Sequence, residues 1–229
     1  MADHKGTHQV KKTVHVIAGI LLLAAGGVAC SSDDGAEGGG GASAPSRAAL
    51  PAVLCGTSVS TEPISRFHQA PHSEVVANES TGGGLRAPLT AQSVGGDEAY
   101  CAVTVDGEVI QVGSKLRSGL LDEKDIAQRV KAGGSGLDWG PARGYVTSGG
   151  GTELAVLTAP CTIEGSTFAV DVSVSAPALR GSEQEVLKAR EAMAELAAGA
   201  ARYVSEHSAR CQDAGGLPST GPTVRQPSR

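Results

Sequence analysis

YCAVTVDGEVIQVG, residues 100–113, decides the fold. Asp106-Gly107 stands between two runs rich in β-branched residues, the pattern of a two-residue hairpin turn. Such a turn sets Val105 opposite Glu108, Val103 opposite Ile110 and Cys101 opposite Val112. Thr104–Val109 and Ala102–Gln111 then point to the other side. One face carries Cys101, Val103, Ile110 and Val112, while the other is mixed or polar. The stretch is half-buried antiparallel sheet with Cys101 turned inward.

The next segment, LLDEKDIAQRVKAGG, predicts a short helix capped by Asp122, with Ile126 and Val130 on one face and Gly133 near its end. The region around Cys161 repeats this order. Cys161-Thr162-Ile163 leads through Glu164-Gly165 into FAVDVSVS, where Phe168, Val170, Val172 and Val174 alternate; a helix follows from Ser182, with Glu185 completing a capping box. Cysteines and helix caps are both offset by about 60 residues. The expected fold class is therefore α+β: two antiparallel-sheet-plus-helix halves, read as a degenerate tandem ββα repeat. Residue identities hardly match between the halves, and hairpin-then-helix is common in α+β folds, so coincidence is the competing explanation.

The long C-terminal helix is expected from Glu183 to about Arg210. Its apolar face runs Val186, Ala189, Met193, Leu196, Ala200 and Val204, with Cys211 just beyond on or near the buried side. Small residues at Ala189, Ala197 and Ala200 let the helix sit close to a sheet. Besides Cys30, four cysteines occur: Cys55, Cys101, Cys161 and Cys211. In an exported chain an even count reads as two disulfides, with three pairings open. The position of Cys211 at the end of the helix pairs it with Cys161, leaving Cys55 with Cys101. No CxxC spacing suggests zinc or redox chemistry.

With two Phe, three Tyr and one Trp in 229 residues, the core must be built of small aliphatics and needs reinforcement. A formal charge of −5 and the lack of a basic run after the N-terminal segment argue against nucleic acid as a partner.

The front end sets the address. Lys5, Lys11 and Lys12 precede an uncharged apolar stretch from Val14 to Ala29, the order of a secretory signal and short for a membrane span of about 20 residues. A retained transmembrane anchor is the alternative. Gly27-Val28-Ala29-Cys30 resembles a bacterial lipobox, although Gly27 stands where an aliphatic residue is usual. That resemblance implies a lipidated Cys30 as the new N-terminus, and residues 31–47 hold almost nothing capable of packing. The expected organisation is a lipoprotein signal peptide at 1–29, a lipid-anchored flexible tether at 30–49, a first half at 50–136, a second at 137–212 and a disordered tail at 213–229. The chain as a whole resembles uncharacterised actinobacterial lipoproteins, through Cys55-Gly56, Cys101, Cys161 and the Ala-rich run AELAAGAARYVSEHSARC. The resemblance implies architecture and an extracytoplasmic place at the cell membrane, with no active site.

Several motifs invite stronger readings. Leu217 to Gly221 spells a sorting signal, but no apolar span follows it. His68 and His72 have helical metal-pair spacing broken by Pro71, and read as exposed loop histidines. The triple glycines at 82–84 and 149–151 and the patch at 133–136 lack the strand-to-helix frame of a phosphate loop. No Gly-x-Ser-x-Gly elbow occurs. Asp97-Glu98 and Asp122-Glu123 are sequence neighbours that rarely point the same way. Trp139 and Tyr145, in LDWGPARGY, are the candidate ligand groove, with a core plug the competing role for Trp139.

The function expected is a membrane-anchored extracytoplasmic binding or interaction module without catalysis, metal or cofactor, whose partner beyond the membrane is an envelope protein or wall component. The alternatives are a small envelope hydrolase with residues converging only in three dimensions, or an accessory subunit of an envelope complex.

Overall fold

A computed structural model describes residues 48–226, apart from 69–71, 73, 80–82, 97 and 179. The signal segment and Cys30 lie outside the described residues. Among the described residues eight strands form one antiparallel sheet: β1 Val75–Glu79, β2 Ala99–Val105, β3 Glu108–Arg117, β4 Ser135–Trp139, β5 Ala142–Gly149, β6 Thr152–Ile163, β7 Ser166–Pro177 and β8 Thr223–Arg225. Their spatial order is β1-β2-β3-β7-β6-β5-β4-β8. Three α-helices accompany them among the described residues: α1 Glu62–Phe67, α2 Glu123–Lys131 and α3 Glu183–Tyr203.

The β2–β3 hairpin has the register its turn dictates, with Val105↔Glu108, Val103↔Ile110 and Cys101↔Val112. Asp106 and Gly107 both take positive φ, 52° and 82°, a geometry that matches the strand twist. Glu164 and Gly165 do the same at 50° and 79° between β6 and β7.

Pairing carries side chains across the sheet in rows. Val112, Val174 and Ala155 lie side by side on one face, as do Leu116, Val170 and Ala159, and all are buried. Helix α3 covers this face. Ser182 and Glu185 make its reciprocal capping box, and buried Ala189, Ala192, Ala197 and Ala200 let the backbone approach the strands. After Tyr203 the helix widens into a π turn, Val204–Ser208, and Arg210 breaks it at a φ of 52°. The α-helix is thus shorter than its apolar periodicity suggests. Both disulfides form as expected: Cys161–Cys211 ties the helix end to β6, and Cys55–Cys101 ties the N-terminal segment to β2.

The other face is covered only in part. Ile126 of α2 meets Leu121, Tyr145 and Val156 in a second small core, with Val130 and Leu154 packed against it. At the β1–β3 end of this face, Val76, Tyr100 and Val109 are exposed.

Three expectations need correction. The boundary between halves at 136/137 falls inside β4, and β3 pairs with β7 across it, so the halves share one sheet. The tail from residue 213 is structured through Gln226: a 3-10 turn at Ala214–Gly216 buries Ala214, Leu217 packs into the core, and β8 pairs with β4. At the other end the fold already holds Ala48, whose N–H donates to the carbonyl of His72 at 3.2 Å.

Candidate functional site

Row geometry brings five polar side chains together on the partly covered face. Lys115, Asp171, Thr158, Arg143 and Asp138 are successive register partners on β3, β7, β6, β5 and β4. Asp171 is only 9 % exposed; Thr158 Oγ1 donates to its Oδ1 at 2.8 Å, and Arg117 Nη1 lies 3.7 Å from Oδ2. Burial pushes the Asp171 carboxyl above its ordinary range, against the pull of Thr158, Arg117 and Lys115. Asp138 accepts from Arg225 of β8, with Nη2 at 3.0 Å and Nε at 2.5 Å.

Arg143 sits at the centre. Its Nη1 donates to Glu123 Oε1 at 3.1 Å, while its buried Nε has no hydrogen-bond partner among the described residues. Local sequence puts Glu123 there. Asp122 caps α2 by accepting from the Lys124 N–H at 2.9 Å, which fixes Glu123 in the first turn. Ile126 and Val130, four residues apart, hold the helix on the sheet by its apolar stripe.

A cavity opens on each side of Arg143. One, of about 580 Å³, is an open depression lined by Leu120, Leu121, Asp122, Glu123, Pro160 and Phe168, the last of which also packs against the α3-side core. The other, of about 480 Å³, runs between α2 and β4, lined by Ile126, Ala127, Val130, Asp138 and Arg225. Both volumes suit a small organic ligand.

Trp139 and Tyr145 do not share a groove. Trp139 pairs with Ala142 on the α3 face, is 2 % exposed, and donates from Nε1 to the Thr220 carbonyl at 2.6 Å. The Arg202 guanidinium lies 5.4 Å from its ring centre. Tyr145 packs on the opposite face under Arg129. Trp139 is the core plug. The parity was legible: with Gly140-Pro141 as the turn, Trp139 aligns with residues 142, 144 and 146, and Tyr145 falls on the other side.

The two histidines are not exposed. His72 is 5 % exposed, with Nδ1 3.5 Å from Asp106 Oδ2, and His68 Nε2 lies 3.5 Å from Glu108 Oε2. Burial lowers the His68 pKa, opposed by Glu108. His68 and Glu108 border a polar cavity of about 640 Å³ with Arg180, but none of its described lining residues carries a hydroxyl or thiol. Among the described residues no group of three or more His, Cys, Asp and Glu could hold a metal ion.

Sequence reasoning missed Arg143, Asp138 and Asp171. The alternation of FAVDVSVS puts Asp171 opposite the valines, but only the cross-strand register reveals its neighbours. No helix among the described residues is long and apolar enough to cross a membrane. No family model matches this chain, and neither a curated protein nor a solved structure does.

Proposed function

We propose that the protein is a lipid-anchored extracytoplasmic binding module whose ligand site is the cleft between α2 and the sheet. The observation that carries the binding reading is that cleft, in which two cavities with mixed apolar and polar linings meet at Arg143. The extracytoplasmic address is supported by two disulfides joining all four cysteines that follow Cys30. The lipid anchor rests on the lipobox-like residues before Cys30 and the tether composition after it. A ββα duplication belongs to the same reading, supported by the matching left-handed acidic-Gly turns at 106–107 and 164–165.

A hydrolase is favoured by one feature, the His68–Glu108 pair beside its cavity, which could orient a water but has no nucleophilic side chain on the described lining.

The test is in-cell photocrosslinking from Ala127, exposed on the cleft, against Glu191, exposed on α3. Adducts specific to the Ala127 probe support the reading. Equal yields from both sites, or none from Ala127, count against it. Lipid labelling that Cys30→Ala abolishes would support the anchor; labelling that persists would refute it.

A further inference from the structure

The cleft's chemistry points to a class of ligand. A guanidinium carries five N–H donors in a rigid fork suited to carboxylate and phosphate. In Arg143, Nε is buried and has no partner among the described residues, while Nη1 reaches only Glu123. The Nε itself is closed to solvent, so a ligand's acceptor meets the fork at the Nη edge that Glu123 now occupies. The neighbouring charges are differently placed. Arg225 is engaged with Asp138, and Asp171 with Thr158 and Arg117.

Glu123 is a weak incumbent. Its side chain is 85 % exposed, and an ion pair so open to water is held loosely. Glu123 lies off the Ile126–Val130 stripe that docks α2, so its side chain can leave Arg143 without undocking the helix. Arg143 also lines the 580 Å³ depression, whose apolar lining includes Leu120 and Pro160. The depression and the guanidinium adjoin, so a ligand with an apolar body and one anionic end reaches both. Asp122 and Glu123 line the depression as well and repel a dianion more than a monoanion.

We propose that the α2 cleft binds an amphiphilic monocarboxylate, whose carboxylate displaces Glu123 from Arg143 while its apolar chain lies along the Leu120–Pro160 depression. This rests on the cleft being the ligand site. The experiment is a titration of the full chain with decanoate below its micelle concentration, followed by calorimetry and by the amide NMR shifts of Leu121, Ile126 and Arg143. Acetate, inorganic phosphate, decyl phosphate and decanol serve as comparison probes.

Saturable decanoate binding that moves these amides is expected. It should weaken at least tenfold in Arg143→Met, weaken less in Arg143→Lys, and strengthen several-fold in Glu123→Gln. Acetate should bind far more weakly for want of an apolar body, decyl phosphate more weakly than decanoate, and inorganic phosphate not at all. Glu123→Gln is an exposed change and keeps the test decisive if Arg143→Met does not fold. Decanoate binding unchanged in Glu123→Gln and Arg143→Lys overturns the displacement. Decyl phosphate binding as well as decanoate overturns the monoanion preference. If decanol moves the cleft amides as strongly as decanoate, the anionic class fails while the cleft survives as a site. If no probe moves them, the cleft reading fails as well.

Discussion

Trp139 Nε1 donates to the carbonyl oxygen of Thr220 across 81 residues of chain. This bond joins the largest core side chain to the C-terminal segment, and Pro218 closes over Gly140 beside it. The segment is therefore part of the hydrophobic seal. Trp139→Phe should cost about 1–3 kcal/mol, because it leaves the Thr220 carbonyl without its donor and removes ring volume. Trp139→Ala should cost about 3–5 kcal/mol. Urea unfolding followed by far-ultraviolet circular dichroism measures both, and equal stability of Trp139→Phe and wild type would refute the bond's role.

Arg190 and Glu153 provide a second long-range tie. Arg190 Nε donates to Glu153 Oε1 at 2.6 Å, Ser148 Oγ donates to Oε2 at 2.6 Å, and Glu153 is 2 % exposed. Removing either charge strands the other, so Arg190→Met or Glu153→Gln should each cost about 3–5 kcal/mol. The double variant Arg190→Met/Glu153→Gln should cost much less than the sum. A double-mutant cycle by chemical denaturation reads the coupling. Additive losses would mean that the pair does not act as a unit.

These two ties mark where sequence reading stopped. The β2–β3 register and both helix caps follow from local turn chemistry, which acts within a few residues, while the disulfide pairing is inferred from where the long helix ends. Which face receives α2, and the pairing of β8 with β4, depend on contacts between distant segments. Nothing near Thr223 signals a strand partner: three residues among Pro, Gly and Ser read as coil. Arg143 illustrates the same limit. Its neighbours Asp138 and Thr158 sit across the two-residue turns at 140–141 and 150–151 and are within reach of turn chemistry, but its partner Glu123 is set by the crossing of α2 over the sheet, which no local motif announces.

The Cys161–Cys211 bridge spans 50 residues and anchors the π turn that ends the long helix. Cys161→Ser/Cys211→Ser should lose about 4 kcal/mol on the chain-entropy account. Hydrogen exchange should show the loss first at residues 204–217, whose docking the bridge secures. If protection there matches wild type while global stability falls, the bridge acts on the unfolded chain alone.

Asp171 supplies a pH dependence with a definite sign. Burial raises its folded pKa above the unfolded value, so between the two values the folded state holds a proton that the unfolded state has released. That contribution to stability is fully present below the ordinary aspartate value near 3.9 and is lost as pH rises through the folded pKa. At neutral pH the ionised carboxylate is a net cost, only partly offset by Thr158 and Arg117. Asp171→Asn keeps an oxygen to accept from Thr158 without the charge. It should therefore be more stable than wild type at pH 7, and the gap should close as pH falls toward 4. Urea denaturation across pH 4–7 reads this directly. A variant less stable than wild type at pH 7 would show that the Arg117 and Lys115 charges outweigh the desolvation of Asp171.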